Sequence, residues 1–498
     1  MCSASMIIPK KFLGLLFSRK LVIIATVLYI CILWTASELL LHPFIDGWSS
    51  KQKRLPYFQR KNDTAHIDCE RLLHDNEVGA VLSKAMQRFS ASVTQQGDYA
   101  KRIAASRSRL SPRNLSMSCE QIRERVLPPV QPRQLQFGIA YARIVYESYE
   151  FLEDELRSSY HQQNVFCYAL DYKAKKGFSE KIETLGKCFP NVIVPTKRWS
   201  IGRNGINGTR AHHECMKALI TYKGWSYVIL LQNHDIMIKT IYETVSILQA
   251  FGGANDVHVR PCEANRYNHS LNWDSRSLNL YRDGKQLALS HLNASLTIAR
   301  GAVQASLSRA AAGWMVNTID LTKTFEQLDL NIMGVDEVLI PTLQVSDSLD
   351  MPGRFTAECL KGERESNGLR NAKAKASSQS FKYSWNAQKL LYPRVASWQY
   401  AKDECHSKQY RHGVCIYGVE DLVWVAKSPK LMANKMMPSF DYGAIDCMHE
   451  LIFNRTHLGQ EDQKWDMTLY ENLPGVGSLF SPSLFLPRKA ITFAFHHP

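Results

Sequence analysis

Two aspartates stand where the chain leaves an apolar, strand-like run. Asp171 ends the run Asn164–Asp171 (NVFCYALD), and Asp235 follows the run Trp225–Gln232 (WSYVILLQ). In a mainly parallel sheet, ligands bind beyond the carboxyl ends of the strands. A carboxylate there could accept hydrogen bonds from a ligand, or it could cap the helix that follows. We favour the ligand site for Asp171, and both interpretations stay open for Asp235.

Strand-like and helix-like segments alternate around these aspartates. Buried strands are predicted at Phe137–Tyr146, Asn164–Asp171, Val192–Pro195 and Trp225–Gln232. Helices are predicted at Ser148–Tyr160, Ser179–Cys188, Ala211–Tyr222 and Met237–Phe251. Strands that alternate with helices indicate an α/β fold, with a mainly parallel sheet covered by helices on both faces.

The chain carries a formal net charge of +15, which raises the question of a nucleic-acid partner. Its Lys and Arg residues are scattered, and no basic block of the nuclear-localisation or heparin-binding type occurs. We therefore expect no nucleic-acid partner. The charge is interpreted as a solvated basic surface, with a basic cleft for an anionic substrate such as a nucleotide diphosphate as the alternative.

The N-terminus predicts a membrane anchor. Basic residues precede an apolar run at 21–41 that contains one charged residue, Glu38, and is about long enough to span a bilayer. A cleaved signal peptide has a shorter core, and Thr35-Ala36-Ser37 is a poor cleavage site. The preceding basic residues keep the N-terminus cytosolic, so the rest of this single-pass type II protein faces the secretory lumen. The expected parts are a cytoplasmic tail at 1–20, the anchor at 21–41, a luminal stem at 42–133 and a luminal domain at 134–498.

Cysteines and glycosylation sequons agree with a luminal location. Ten cysteines follow the anchor, and an even number in an oxidising compartment indicates disulfides. A zinc site is disfavoured because the chain has no CxxC pair. Six sequons for N-glycosylation start at Asn62, Asn114, Asn207, Asn268, Asn293 and Asn454.

The order of nine motifs resembles the core 2/I-branching β1,6-N-acetylglucosaminyltransferases, which are glycosyltransferase family 14. The motifs are FGIAY (137–141), NVFCYALD (164–171), WSYVILLQNHDIMIKT (225–240), GVDE (334–337), PTLQ (341–344), SWQY (397–400), RHGVCIYGVEDL (411–422), LMANK (431–435) and AIDC (444–447). Each motif is weak alone, but their order and spacing are specific. The resemblance implies a Golgi membrane enzyme with a GT-A-like fold, in which a Rossmann-like sheet follows one transmembrane helix.

By this resemblance, the donor is a UDP-sugar, and neither a cofactor nor a divalent metal is expected. The chain has no DxD motif, so other groups must neutralise the leaving UDP. Two basic side chains do so in the family, and Lys435 matches one of them. The other falls between Cys405 and Cys415, where Arg411 or His412 could serve. We favour Arg411, since a guanidinium stays charged and binds phosphate with two hydrogen bonds.

The resemblance also assigns the remaining donor residues and the base. Asp171 matches a residue that contacts the uridine, with Ile144 beside it, and Asp235 is grouped with this nucleotide-sugar site. Glu337 matches the family's catalytic base, with Asp336 as the weaker candidate. An inverting transfer needs one such carboxylate to take the proton from the acceptor hydroxyl.

Acceptor contacts and disulfides carry over in the same way. Trp398, Tyr400 and Glu263 match family residues that contact the acceptor, with ordinary core aromatics as the alternative for Trp398 and Tyr400. The implied disulfides are Cys69–Cys447, Cys119–Cys188, Cys167–Cys215 and Cys405–Cys415. Cys262 and Cys359 are left over and could pair with each other.

Three stretches depart from the family pattern. Ile236-Met237 replaces an FP-type pair, Arg203 in the stretch Trp199–Thr209 replaces an aromatic residue near the nucleotide, and residues 262–300 diverge. The expected reaction is transfer of GlcNAc from UDP-GlcNAc to the 6-hydroxyl of an O-glycan sugar on a glycoprotein. Because of these departures, another donor such as UDP-glucose or UDP-xylose stays open, as does a catalytically inactive, membrane-anchored lectin.

Overall fold

The computed structural model describes residues 58–74, 99–111, 113–284, 289–329, 332–354, 394–400, 404–459 and 466–471. The predicted tail and anchor lie outside these ranges. Within them, no helix is both long and apolar enough to cross a membrane.

The strands are short apart from three in the middle of the fold. They are β1 (Gly138–Val145), β2 (Val165–Leu170), β3 (Val192–Ile193), β4 (Trp225–Leu231), β5 (Asp235–Met237), β6 (Asp256–Val257), β7 (Arg260–Pro261), β8 (Ala299–Arg300), β9 (Ala305–Ser308), β10 (Arg394–Val395), β11 (Tyr410–Arg411), β12 (Val414–Cys415) and β13 (Met432–Asn434).

The helices follow the strands in alternation through the first half of the fold. They are α1 (Cys69–His74), α2 (Cys119–Val126), α3 (Tyr149–Ser159), α4 (Lys176–Cys188), α5 (Gly208–Ile220), α6 (Ile241–Ala250), α7 (Leu289–Leu292), α8 (Arg309–Asn317), α9 (Thr322–Leu328), α10 (Leu339–Val345), α11 (Leu422–Ala426), α12 (Tyr442–His457) and α13 (Thr468–Glu471).

A six-stranded sheet in the order β3-β2-β1-β4-β9-β6 forms the centre. Strands β3, β2, β1 and β4 are parallel, and β9 is antiparallel to both β4 and β6. All eight residues of β1 are buried, as expected of a strand covered on both faces. The mixed α/β fold with a mainly parallel sheet is therefore confirmed, and it is consistent with a GT-A-like fold.

Alternate residues of β1 enter two separate hydrophobic cores. Ile139 and Tyr141 pack with α3 and α12 on one face, whereas Ala140 and Ala142 pack with α5 and α8 on the other. This division follows from the two-residue period of a strand, and it places helices on both faces of the sheet.

The helix expected at Met237–Phe251 begins later in the structure. Asp235–Met237 form β5 instead, and α6 begins at Ile241 after the N-cap residue Thr240. Thr240 and Glu243 form a capping box, in which each side chain accepts a hydrogen bond from the other residue's backbone N–H.

Residues 58–74, within the predicted stem, pack onto the globular core. Ile67 and Leu72 are buried in the core on the α3 face, and Lys61 Nζ lies 2.5 Å from Asp154 Oδ1. Cys69 is joined to Cys447 of α12 across 378 positions of sequence. The folded unit therefore includes chain that precedes residue 134.

The structure contains the four disulfides that the family resemblance implies, namely Cys69–Cys447, Cys119–Cys188, Cys167–Cys215 and Cys405–Cys415. Cys262 forms no disulfide with a described residue, and Cys359 lies outside the described residues. Of the sequon asparagines, Asn62, Asn114 and Asn293 are exposed, whereas Asn207, Asn268 and Asn454 are half-buried.

Candidate active site

The carboxyl ends of β1, β2 and β4 meet at one edge of the central sheet. Asn233, just after β4, accepts hydrogen bonds at Oδ1 from the backbone N–H groups of Tyr146 (2.8 Å) and Glu147 (3.2 Å), just after β1. The backbone N–H of Asp171, just after β2, donates to the carbonyl oxygen of Val145. The three strand ends are thereby joined into one edge.

Asp171 lies at this edge and is nearly buried. Its Oδ1 accepts from the backbone N–H of Lys173 (2.9 Å), and its backbone forms a β-bridge with Trp199. It is not a helix cap, because the N-cap residue of α4 is Lys175. Ile144 is buried inside β1 and packs in the core on the α5 face, in register with Ala169, which lies two positions before Asp171 on the same face of the sheet.

Asp235 is fully buried, and its two oxygens are occupied. They accept from the backbone N–H of Gln232 (2.6 Å), from Gln304 Nε2 (2.9 and 2.8 Å) and from Asn434 Nδ2 (2.6 Å). Both interpretations raised from the sequence therefore fail to describe it, since it caps no helix and directs its hydrogen bonds inward. Through its hydrogen bond with Asn434, Asp235 instead holds β13 in place. Lys435 directly follows that strand.

Cationic side chains gather beside the sheet edge. Lys435 Nζ donates to the carbonyl oxygen of Arg411 at 3.3 Å, and Arg203 Nη2 lies 3.5 Å from His412 Nε2. Among the described residues, Arg203, Arg411 and Lys435 form no ion pair with a carboxylate. Burial and the charges of Arg394 and Arg411 together lower the pKa of Lys435 to about 8. This concentration of unpaired positive charge favours an anionic ligand.

The hairpin β11–β12 carries Arg411 and His412 and is closed by the disulfide Cys405–Cys415. Burial and the charges of Lys435, Arg203 and Arg411 lower the pKa of His412. His412 is therefore the weaker of the two candidate phosphate ligands, because its imidazole is neutral near pH 7.

Arg411 also reaches the end of β1. The pKa of Glu147 is lowered first by its hydrogen bond with His234 and further by the positive charge of Arg411. The backbone N–H of Met436 also donates to the carbonyl oxygen of His234 at 3.1 Å, which joins the segment that carries Lys435 to the sheet edge.

Glu337 ends a single 3-10 turn, Val335–Glu337, that begins after Gly334. The backbone N–H groups of Gly334 and Val335 donate to the carbonyl oxygen of Asn204 at 2.7 and 3.1 Å. Gly334 has φ +75°, a conformation that favours glycine. The stretch Trp199–Thr209, one of those that depart from the family, therefore supports the turn that carries the candidate base.

Arg300 joins the candidate base to the candidate acceptor residue. Its Nη2 donates to Glu337 Oε2 at 2.8 Å, and its Nη1 donates to Glu263 Oε2 at 2.7 Å. The Arg300 side chain is 6% exposed, whereas Glu337 is 18% and Glu263 49% exposed. Glu337 Oε1 forms no hydrogen bond with a described residue, so it is free to accept one from a ligand hydroxyl.

Asp336 points away from this arrangement. Its carboxylate packs against Gly205 and Gly208, where a Cβ atom on Gly205 would lie 2.0 Å from Asp336 Oδ1. Burial and the negative charge of Glu337 raise the pKa of Asp336 to about 7. Asp336 is thus a packing residue of the turn, and Glu337 is the better placed base.

Trp398 and Tyr400 form a stacked pair, with ring centroids 6.1 Å apart and an interplanar angle of 6°. Trp398 forms a β-bridge with Val414 of β12, and Tyr400 is 81% exposed. A partly exposed aromatic surface therefore flanks the hairpin that carries Arg411. It is not part of either hydrophobic core.

The structure adds three polar residues that sequence reasoning missed, namely Asn233, Arg300 and Gln304. Asn233 lies in the motif WSYVILLQNHDIMIKT, so its position directly after a buried strand was an available signal. The other two lie between residues 299 and 305, in or beside a stretch that showed no usable pattern. Among the described residues, no group of three or more His, Cys, Asp or Glu side chains is arranged to hold a metal ion.

Comparisons with known proteins agree with this arrangement. The chain is 25% identical over 331 residues to "Beta-1,3-galactosyl-O-glycosyl-glycoprotein beta-1,6-N-acetylglucosaminyltransferase 4" of Danio rerio. The aligned residues cover 64% of this chain and 71% of that protein. It is 25% identical over 368 residues to the protein named beta-1,3-galactosyl-O-glycosyl-glycoprotein beta-1,6-N-acetylglucosaminyltransferase in Bovine herpesvirus 4, covering 70% and 76%.

The enzyme numbered 3 of the same name in Rattus norvegicus is 23% identical over 368 residues, with the same coverage of 70% and 76%. The family model described as "Core-2/I-Branching enzyme" matches residues 139–426, which is more than half of the 498 residues. The chain therefore belongs to the Core-2/I-branching enzyme family.

Proposed function

We propose that this chain is an inverting glycosyltransferase that moves GlcNAc from UDP-GlcNAc to the 6-hydroxyl of a sugar on an O-glycan. The names of its relatives support the reaction class. The observation that carries the proposal is that, within the described part of the chain, Glu337 Oε1 accepts no hydrogen bond and the cations Arg203, Arg411 and Lys435 pair with no carboxylate. A binding protein that only holds a glycan needs neither a base nor a site for a leaving diphosphate.

The residues take the following roles in this proposal. Glu263 and the stacked pair Trp398–Tyr400 bind the acceptor, with an aromatic ring against the apolar face of a sugar. Arg411 and Lys435 bind the diphosphate, and Asp171 accepts a hydrogen bond from the nucleotide base. Asp235 acts as a positioning residue, because it holds β13 and thereby Lys435.

The transfer is a single displacement. Glu337 takes the proton from the acceptor 6-hydroxyl while that oxygen forms a bond to the anomeric carbon. The bond from the anomeric carbon to the diphosphate oxygen breaks, and its electron pair leaves with UDP. The new negative charge on the diphosphate is stabilised by Arg411 and Lys435, which are fixed before the reaction begins. Inversion follows because attack and departure occur on opposite faces of the sugar.

We further propose that the enzyme needs no divalent metal and works as a single-pass type II protein in the Golgi membrane. In this proposal Arg411 and Lys435 neutralise the leaving group, and the sequence lacks the DxD motif that would hold a metal there. The four disulfides fit an oxidising lumen, since disulfides are rare in the cytosol.

The test uses the full-length chain, a panel of UDP-sugars and a core 1 O-glycan acceptor in EDTA. Transfer from UDP-GlcNAc in EDTA is expected. Transfer from only UDP-glucose or UDP-xylose would contradict the proposed donor and retain the mechanism. Loss of transfer in EDTA with recovery in Mn²⁺ would contradict the metal-free mechanism, and glycan binding without turnover of any donor would indicate a lectin.

A further inference from the structure

A cavity of about 450 Å³ contains none of the candidate active-site residues in its lining, and it adjoins that site through Trp199, which pairs with Asp171. It is lined by the loop that follows β3, by residues of α5 and by the segment that leads into α9. Neither Glu337 nor Arg411 nor Lys435 lines it. Its volume falls within the range of about 300–1,000 Å³ that is typical of small-molecule sites.

Positive charge dominates the lining of this cavity. Four cations, Lys197, Arg210, Lys217 and Arg282, face two carboxylates, those of Glu214 and Asp320. The lining thus carries two more positive than negative charges, and Asp329 reduces this surplus to one, because Arg210 Nε lies 2.5 Å from Asp329 Oδ2. His213 also lines the cavity, but burial lowers its pKa to about 4, so that it adds no charge near neutral pH.

The ion pairs inside the cavity leave this surplus available. Lys217 lies 3.4 Å from Glu214, and Arg282 lies 3.6 Å from Asp320, in pairs whose side chains are between 20% and 43% exposed. Such partly exposed pairs are weak. Lys197 forms no ion pair with any described carboxylate.

Trp199 orders two of the cations at one wall. Lys197 Nζ lies 4.6 Å and Arg210 Cζ lies 5.3 Å from the centroid of its ring, at distances typical of cation–π contacts. Lys197 and Arg210 therefore form one ordered cationic wall of the cavity.

We propose that this cavity is a second binding site for an acidic saccharide, that is, a sugar of one or two rings that carries a carboxylate or sulfate group. The acidic group would lie against Lys197 and Arg210. The cavity is larger than a bare anion would fill, so it has room for the sugar rings as well. Glu214 and Asp320 can accept hydrogen bonds from sugar hydroxyls, and they would repel a more highly charged ligand such as a nucleotide diphosphate.

The test measures binding rather than transfer, so its outcome does not depend on the proposed catalytic function. The full-length chain in detergent is titrated with 3′-sialyllactose, with lactose as the neutral match and with sodium sulfate as the bare anion. Saturating UDP is present throughout, so that anion binding at Arg411 and Lys435 is blocked. We expect saturable binding of 3′-sialyllactose that weakens as NaCl is added, and at least tenfold weaker binding of lactose.

The variant Lys197→Glu/Lys217→Glu is expected to bind 3′-sialyllactose at least tenfold more weakly. Lys187→Glu/Lys223→Glu is the matched control, because it makes the same charge change on two exposed lysines outside the cavity. If the double variant fails to fold, the single variant Lys197→Gln replaces it, since Lys197 is exposed. Trp199 is left unchanged, because its backbone pairs with Asp171.

Three results would overturn the proposal. Lactose and 3′-sialyllactose could bind equally well, or a folded Lys197 variant could keep the full affinity. Sulfate alone could displace 3′-sialyllactose with equal affinity, which would show an anion site with no preference for a sugar.

Discussion

Arg300 Nη2 donates to Glu337 Oε2 at 2.8 Å from a side chain that is 6% exposed. The same guanidinium binds Glu263 through its other terminal nitrogen. One oxygen of Glu337 is thereby fixed and its charge is compensated, while the other oxygen accepts no hydrogen bond from any residue that the structure describes. This arrangement is suited to a base that must accept one proton from a defined direction.

Replacing Glu337 with Gln is expected to reduce turnover by about 10²- to 10⁴-fold, the range for loss of a general base. The shape of the side chain is retained, and Arg300 can still donate to its oxygen, so UDP affinity should be unchanged. Transfer assays and calorimetric UDP titration measure the two effects. Glu326→Gln, on an exposed residue of α9, is the control. An equal fall in UDP affinity would mean that Glu337 is structural.

Replacing Arg300 with Lys is expected to reduce kcat/KM by about 10- to 100-fold, which corresponds to the about 1.5–3 kcal/mol of a hydrogen bond to a charged group. A lysine keeps the charge but cannot hold two carboxylates with one planar fork. Steady-state kinetics should show changes in both kcat and acceptor KM, with donor KM retained. The same exchange at Arg260, 42% exposed and 3.9 Å from Glu263, should have little effect. Wild-type kinetics in Arg300→Lys would refute the positioning role.

The central strands could be predicted from sequence because each is a near-continuous apolar run that a parallel sheet requires. Strand β5 could not be predicted, since its three residues acquire their conformation from β13 almost 200 positions later. Its first residue, Asp235, resembles a helix cap locally. In the fold, its hydrogen bonds come from residues as distant as Gln304 and Asn434.

The candidate site shows the same limit. Glu337 and Lys435 lie within motifs that resemble those of a family, so both residues could be predicted from the order and spacing of the motifs. Arg300 lies 37 positions from both of its carboxylate partners, and no local pattern marks it. Residues that carry the chemistry could be identified from sequence, whereas the residues that orient them depend on non-local contacts.

The affinity for UDP is expected to fall as the pH rises through about 8. The pKa of Lys435 is lowered to about 8 by burial and by neighbouring cations, so its ammonium loses its proton in this range. The diphosphate keeps its charge there, because the second ionisation of a phosphate has a pKa of about 6. UDP titrations between about pH 6.5 and 9.5 measure how steeply the affinity for UDP falls with pH. Bound UDP would shift the midpoint upward, since it favours the charged ammonium.

The variant Lys435→Arg is the control for this pH dependence. A guanidinium stays protonated over the whole range, so the curve should become nearly flat. A wild-type curve without a slope would mean that Lys435 does not contact the diphosphate. The same slope in wild type and variant would assign the titration to another group.

Removing the disulfide Cys405–Cys415 is expected to weaken both UDP binding and the fold. The bond closes a short segment, with a sequence separation of 10, and the hairpin with Arg411 and His412 lies inside it. For a loop of this length, the free energy of unfolding should fall by about 2–3 kcal/mol. The hairpin would then sample conformations in which Arg411 does not face the diphosphate, and we expect at least a tenfold loss of UDP affinity in Cys405→Ser/Cys415→Ser.

The matched control is Cys119→Ser/Cys188→Ser, which removes a disulfide between α2 and α4, elements that carry none of the candidate cations. Its free energy of unfolding should also fall, but UDP affinity should stay at the wild-type value in the folded protein. Chemical denaturation and calorimetric UDP titration on both variants separate the two effects. If both variants lose UDP affinity in proportion to stability, the hairpin disulfide serves the fold alone. If only the hairpin variant loses affinity, the disulfide holds the diphosphate ligands in position.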